Sequence, residues 1–169
     1  MACDLTAGRL RPCKQSIGGL GKLYLFNFVE DAFTYANGIA TAINPLLTTV
    51  YEYEIEGDGN NVVESLVPDR NTGTTINTQT STIVLKQIDA ATSAELNLLA
   101  YRWNSAVVKD RNGIYHALGI DDGIDWSISQ STGGAKGDLN GYTLTGVSTT
   151  GSLSPKLDAL TVTAFLALV

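Results

Sequence analysis

The sequence predicts a mainly β fold, either a sandwich or a barrel, with one α-helix. Glycine (17 residues) and threonine are abundant, which favours turns and β-branched strands over long helices. About eight or nine short segments have apolar residues at alternate positions and are separated by turn signals. Only one segment has strong helical spacing. A chain of 169 residues with these features is expected to be a single domain, residues 1–169, with a substantial core.

The N-terminal half predicts a strand, a hairpin and a long connection. Residues 22–29 (KLYLFNFV) are the first strand, and Asn37 and Gly38 are a strong signal for a short hairpin turn. The segments TTVYEYEIE and TTINTQTSTIVLKQI are predicted to form an antiparallel pair. Between them, residues 57–74 read as a long loop, and a connection of this length tends to be functional or to fold on a partner.

The helix is predicted within residues 89–103 (DAATSAELNLLAYRW). Thr92 and Glu95 have the spacing of a capping box at its start. Four apolar residues recur with helical spacing and are expected to pack on a sheet as core: Leu96, Leu99, Ala100 and Trp103.

The C-terminal half predicts further strands that are joined by tight turns. Asn112 and Gly113 mark one turn, and Asp122 and Gly123 mark another. A glycine-rich loop then leads to the strand GYTLTGV. The last segment, LTVTAFLALV, is apolar enough to predict a strand that is covered on both faces.

The charge of the chain argues against nucleic-acid binding. The net charge is −6, and binding that is independent of base sequence requires clustered Lys and Arg. The exception is an N-terminal arm, residues 1–21, where the basic residues Arg9, Arg11 and Lys14 precede Lys22. This arm is either a solvated tail or a segment that docks on an acidic neighbour.

The two cysteines, Cys3 and Cys13, are too few for a disulfide framework or a zinc site, and free thiols are expected. The N-terminus has no secretory pattern, and the apolar C-terminal segment is too short to cross a bilayer. We therefore expect synthesis in the cytoplasm without membrane insertion.

No catalytic, cofactor or metal site is predicted. His116 is the only histidine, which makes a triad or a zinc site hard to assemble, and we expect it to be structural. Five aspartates could in principle provide the paired carboxylates of a glycosidase or an oxygen-rich calcium loop. All of them lie near glycines at turns, where they are expected to bond to their own backbone: Asp110, Asp121, Asp122, Asp125 and Asp138.

The most unusual pattern is VYEYEIE, which places Glu52, Glu54 and Glu56 on one side of a strand. Three like charges on one face repel each other unless water or opposite charge screens them. This face is either an ordinary solvated surface or the wet lining of a bore in an assembly, where acidic residues would keep a passing polyanion from sticking.

Three segments resemble virion proteins of the phage tail-tube type: residues 1–28, residues 64–79 with DRNTGTT, and GIYHALGIDDGIDWSISQSTGGAKGDLNGYTLTG. The resemblance is strongest to tail-tube proteins of phages that infect Bacteroidetes. It implies a β-sandwich closing towards a barrel with one flanking helix, as in phage tail tubes and type VI secretion tubes.

The resemblance also implies a function. Homo-hexameric rings would stack with other tail proteins into a tube through which DNA passes without specific binding. The glutamate face would line the channel. The 57–74 loop, with Glu64, Asp69 and Arg70, would reach the adjacent subunit or ring, and the arm with Arg9, Arg11 and Lys14 would contact the next ring.

Alternative functions remain open on the sequence. Tail terminators, head-completion proteins and decoration proteins include chains of this size and fold. A carbohydrate- or receptor-binding β-sandwich could use four aromatic residues as stacking platforms, and burial of Trp126 would count against it: Tyr101, Trp103, Trp126 and Tyr142. A small hydrolase with paired aspartates is the third alternative.

Overall fold

The computed structural model describes residues 7–169, which form eleven strands and two helices. The strands are β1 (Leu20–Asn27), β2 (Phe33–Ala36), β3 (Ile39–Ile43), β4 (Tyr51–Glu54), β5 (Asn61–Asp69), β6 (Thr74–Lys86), β7 (Asn104–Asp110), β8 (Tyr115–Leu118), β9 (Asp125–Ser131), β10 (Gly141–Thr150) and β11 (Lys156–Leu157). The helices are α1 (Ala90–Tyr101) and α2 (Ala159–Leu166).

The strands form two sheets, which confirms the prediction of a mainly β fold. The larger sheet has the order β2-β3-β11-β8-β7-β1-β4, and the smaller sheet has the order β5-β6-β10-β9. All neighbouring strands are antiparallel except β11 and β3, which are parallel. In residues 7–169 neither sheet closes into a barrel, so each sheet ends in two edge strands, β2 and β4 in the larger sheet and β5 and β9 in the smaller.

The inner strands β1 and β7 of the larger sheet are buried on both faces. In β1, Leu23 and Leu25 belong to the core that the two sheets share with α1. The alternate residues Tyr24 and Phe26 belong to a second core on the opposite face, beneath α2. Since side chains alternate along a strand, this division requires apolar residues at every position, and β1 has them from Leu23 to Phe26.

The hairpin between β2 and β3 forms where the sequence predicts it. Asn37 and Gly38 connect the two strands, with φ angles of 52° and 76°. Two successive positive φ angles are typical of a type I′ turn, whose twist matches that of the flanking strands.

The prediction of a closing strand in LTVTAFLALV is wrong, because most of this segment is α2. Asp158 caps the helix, and its side chain accepts a hydrogen bond from the N–H of Thr161 at 2.7 Å. Phe165 is fully buried and lies edge-on to Tyr24, with ring centroids 5.6 Å apart. Tertiary packing and the cap therefore override the strand preference of the β-branched residues here.

The helix α1 is confirmed, but its cap and its apolar stripe differ from the prediction. The N-cap is Asp89, whose Oδ1 accepts from the N–H of Thr92 at 2.8 Å, so Thr92 is not the cap. Leu96 and Leu99 are buried as expected. Ala100 is exposed, and Trp103 lies beyond the end of the helix and is 67% exposed, so neither belongs to the core.

The long loop predicted over residues 57–74 is instead mostly β5 and the turn that follows it. Residues from Asn61 to Asp69 pair in register with residues from Thr82 back to Thr74. The strand signal was weak because β5 is an edge strand that is mostly exposed, and Pro68 is tolerated at such an edge. The expected pairing of TTVYEYEIE with TTINTQTSTIVLKQI is also wrong, since β4 pairs with β1 and β6 pairs with β5 and β10.

Candidate assembly surfaces

The acidic strand face is partly neutralised by two lysines. Glu52 and Glu54 lie in β4, opposite Tyr24 and Lys22 of β1, and the ammonium of Lys22 forms an ion pair with both carboxylates. Glu56 follows the end of β4 and lies 3.8 Å from the ammonium of Lys86. Two ammonium groups therefore screen three carboxylates, and the face keeps a net negative charge.

Glu52 and Lys22 form the tightest of these pairs. The hydrogen bond from Lys22 holds the pKa of the Glu52 carboxyl below its usual value. The same hydrogen bond raises the pKa of Lys22. Glu54, by contrast, is 80% exposed in its side chain and lies 3.8 Å from Lys22, which leaves its outer oxygen open to solvent and to an incoming cation.

The β5–β6 hairpin extends beyond the core and exposes apolar side chains. Val67 and Ile76 are directly opposite each other and are both half exposed or more. Val63 and Leu66 are also exposed on β5. Exposed apolar side chains that cluster on an edge strand mark an interaction surface or an aggregation hazard. The sequence analysis did not identify this apolar surface because it interpreted residues 57–74 as a loop. The apolar residues of NVVESLV could have indicated the strand.

Glu64 points inward and is held by the chain itself. Its Oε2 accepts hydrogen bonds from the N–H of Ser154 at 2.7 Å and from Nδ2 of Asn77 at 2.9 Å, and its Oε1 accepts from the hydroxyl of Ser154. Burial opposes ionisation, but these hydrogen bonds outweigh it and hold the pKa of Glu64 below its usual value. Glu64 therefore stabilises the fold, and its carboxylate is already occupied within the chain.

Asp69 and Arg70 lie at the tip of the hairpin. Oδ1 of Asp69 accepts from the N–H of Asn71 at 2.7 Å and closes the turn, and backbone hydrogen bonds from Asn71 and Thr72 lower the pKa of Asp69. Arg70 is exposed. Of the three residues predicted to contact a neighbouring subunit, Glu64 and Asp69 accept hydrogen bonds within the chain. Arg70 lies in the turn at the tip of the hairpin, away from Glu64 in the middle of β5.

The arm is described from residue 7 onward and has no regular secondary structure before β1 begins at Leu20. Arg9, Arg11 and Lys14 are all exposed, and Leu10 is 93% exposed. Cys13 is an exposed free thiol, and Cys3 lies outside the described residues. The root of the arm is fixed, because Asn112 and Ile17 exchange two hydrogen bonds of 2.8 and 2.9 Å.

A cleft of about 360 Å³ lies beside β4. Tyr51 and Tyr53 of β4 line one wall, and Leu98 and Tyr101 of α1 line another. Tyr51, Leu98 and Tyr101 are each more than half exposed, and so is the neighbouring Trp103. By contrast Trp126 and Tyr142 are buried, which removes two of the four aromatic platforms that a carbohydrate-binding module was expected to use.

Two of the five aspartates considered for catalysis accept hydrogen bonds from backbone N–H groups of their own turns, as expected. Oδ1 of Asp110 accepts from the N–H groups of Asn112 and Ile114, and Oδ2 of Asp138 accepts from those of Gly134 and Ala135. His116 lies 3.6 Å from Asp110. Within residues 7–169 no three His, Cys, Asp or Glu side chains come together as a metal site would require.

Comparisons with known proteins identify no relative, since no protein-family model, curated protein or solved structure matches this chain. Among residues 7–169, neither helix has the length and hydropathy needed to cross a membrane.

Proposed function

We propose that this chain is a structural protein of a phage virion that closes into homo-hexameric rings, which stack into a tail tube. In this role the protein performs no catalysis and provides a conduit for DNA during ejection. The proposal combines the resemblance of the three sequence segments with one feature of the fold, the two unpaired edges of the smaller sheet.

The unpaired edges carry the proposal. β5 and β9 lie at opposite ends of a sheet in which every neighbouring pair is antiparallel, so these two strands run in opposite directions. If copies are related by rotation about an axis along the strands, β5 of one copy meets β9 of the next in an antiparallel arrangement. In residues 7–169 no other strand pairs with these edges. A ring would satisfy them and would join the sandwiches through a shared, barrel-like sheet.

The outward face of the smaller sheet is the better candidate for the channel lining. Its middle part consists of alternate side chains of β6 and β10 that are half-buried or exposed and uncharged, which we call the threonine face: Thr78, Thr80, Thr82, Val84, Thr143, Thr145, Val147 and Thr149. The threonine face itself has no lysine or arginine that could hold the phosphates of passing DNA. Lys86, at the end of β6 on the same side of the sheet, lies 3.8 Å from the carboxylate of Glu56. This assignment replaces the glutamate face, whose carboxylates are paired with Lys22 and Lys86.

The β5–β6 hairpin supports assembly in a second way. Val67 and Ile76 expose apolar surface at its far end, where the hairpin has left the core of its own chain. Burial of such side chains against a neighbouring copy would contribute roughly 25 cal/mol per Å² of apolar area.

The test is a pair of lysines on the β9 edge, Ser127→Lys with Ser129→Lys. Both serines are exposed, and lysines on an edge strand disfavour pairing with another strand. The matched control is Asn97→Lys with Ala164→Lys, which adds the same charge at exposed helical positions. We expect rings or tubes of the wild-type and control proteins in negative-stain electron microscopy, and folded monomers of the β9 variant by light scattering.

Two results would contradict the proposal. One is a wild-type protein that stays monomeric at high concentration in both measurements. The other is a β9 variant that still forms rings of normal diameter, since the β5–β9 contact would then not close the ring.

A further inference from the structure

We infer that residues 8–13 of one copy add as an extra strand to the free edge of β4 in a copy of the next ring. The inference rests on the proposed function, because it requires neighbouring copies, and it assigns the contact along the tube axis. The lateral contact already uses β5 and β9, which belong to the other sheet.

β4 has a free edge, and its two faces differ in polarity. It is the last strand of the larger sheet, and within the described part of the chain it pairs only with β1. Glu52 and Glu54 lie on one side of it, and Tyr51 and Tyr53 lie on the other, where the cleft opens. An added strand therefore meets carboxylates on one face and an apolar recess on the other.

The arm has the complementary pattern. Arg9 and Arg11 alternate with Leu10, so an extended arm places both guanidinium groups on one side and the leucine on the other. No acidic residue lies between residues 7 and 19. With Leu10 in the cleft between Tyr51 and Leu98, the arginines would lie on the side of Glu54, which is 80% exposed.

Pro12 restricts this arrangement without preventing it. A proline favours an extended conformation in the residue before it, here Arg11. It also lacks an N–H group, so the backbone groups of residues 8, 10 and 12 must face away from β4. The amides of Arg9, Arg11 and Cys13 then face the edge of β4 and supply the strand hydrogen bonds.

The partner is a second copy because the arm does not use its own β4. Leu10 is 93% exposed in the single chain, and residues 7–12 make no hydrogen bond within the described residues. The hydrogen bonds between Asn112 and Ile17 fix the root of the arm and leave about ten residues to reach outward, up to roughly 33 Å when extended.

Cross-linking tests the contact directly. In a background with Cys3→Ser and Cys13→Ser, full-length protein with Leu10→Cys is mixed with protein carrying Tyr51→Cys and is oxidised after assembly. We expect a disulfide-linked heterodimer, formed at least roughly tenfold more efficiently than with Leu160→Cys, an exposed control position on α2. Equal cross-linking to both positions would overturn the inference. So would efficient cross-linking within single chains of a dilute Leu10→Cys, Tyr51→Cys double variant.

A charge exchange separates this inference from the proposed function. Arg11→Glu should leave rings intact and abolish stacking, while Lys14→Glu, an equal charge change on the Leu10 side of the arm, should stack like the wild type. Stacking should return in the double variant Arg11→Glu with Glu54→Arg. If rings form and Arg11→Glu stacks normally, the inference fails and the proposed function survives. If the wild-type protein forms no rings, the proposed function itself fails.

Discussion

The carboxylate of Glu64 accepts a hydrogen bond from the backbone N–H of Ser154, and the two residues are 90 positions apart in the sequence. Asn77 donates to the same oxygen and also to the carbonyl oxygen of Ser152. Through these bonds the base of the β5–β6 hairpin is joined to the segment that leads into β11. One ionised side chain therefore links the edge of the smaller sheet to the C-terminal part of the larger one.

Replacing Glu64 with glutamine should destabilise the fold. The amide keeps one acceptor oxygen, but its NH₂ group would face the donors of Ser154 or Asn77. Hydrogen bonds to charged groups contribute about 1.5–3 kcal/mol when buried, and partial exposure reduces this to about 1–2 kcal/mol. Urea unfolding would measure the change. Glu56→Gln, at an exposed carboxylate, is the matched control, and an equal effect of both variants would contradict the role of Glu64.

The low pKa of Glu64 also predicts a dependence of stability on pH. A carboxyl that titrates near 4.5 when unfolded and lower when folded adds stability above 4.5, and this stability is lost as the pH falls through the folded pKa. The free energy of unfolding of the wild type should therefore fall between pH 5 and acid. Glu64→Gln should show a shallower fall over this range, and an identical slope would count against the prediction.

Truncating Phe165 should destabilise the second core. Its ring is fully buried between Tyr24, Phe26 and Phe33, so Phe165→Ala leaves a cavity and should cost about 3–5 kcal/mol. Leu160→Ala on the same helix removes an exposed side chain and should change stability by less than about 0.5 kcal/mol. Thermal unfolding of the two variants distinguishes them, and a small effect at Phe165 would mean that α2 does not cover the larger sheet.

Gly141 should not tolerate a side chain. A Cβ at this position would overlap the carbonyl oxygen of Leu85 in the neighbouring strand β6, and it would lie 3.1 Å from the carbonyl carbon. Gly141→Ala should therefore cost about 1–3 kcal/mol through displacement of β10. Gly137→Ala, in the loop before β10 with nothing within 4 Å of the added carbon, is the control. The melting temperatures of the two variants should differ by several degrees.

Local patterns in the sequence predicted much of the fold. The Asn37–Gly38 turn, the first strand and the core residues Leu96 and Leu99 depend on nearby residues alone, and the structure has them. The α2 segment was wrongly predicted to be a strand because its conformation depends on residues that are distant in the sequence. Phe165 packs against aromatic residues of β1 and β2. A periodicity argument has no access to such a contact.

The candidate surfaces were predictable only in part. The glutamates of β4 were correctly read as a single face, but the lysine that neutralises Glu52 comes from β1, about 30 residues earlier in the chain. Strand pairing decides which charges meet, and the local pattern of a segment does not reveal its pairing partner. Glu64 is a second example. Its segment was interpreted as a loop, and its hydrogen-bond partner, Ser154, lies 90 residues later in the chain.

The unequal burial of the two sheets has a consequence for the motions of the protein. Amides of β1 and β7, in the middle of a sheet covered on both faces, open only when the whole domain unfolds, and their hydrogen exchange should be slowest. The far end of the β5–β6 hairpin has no such cover on either face and can fray without disturbing the rest. The protein therefore has a rigid centre and a flexible hairpin end. A neighbouring molecule can change the conformation of this hairpin end without altering the centre.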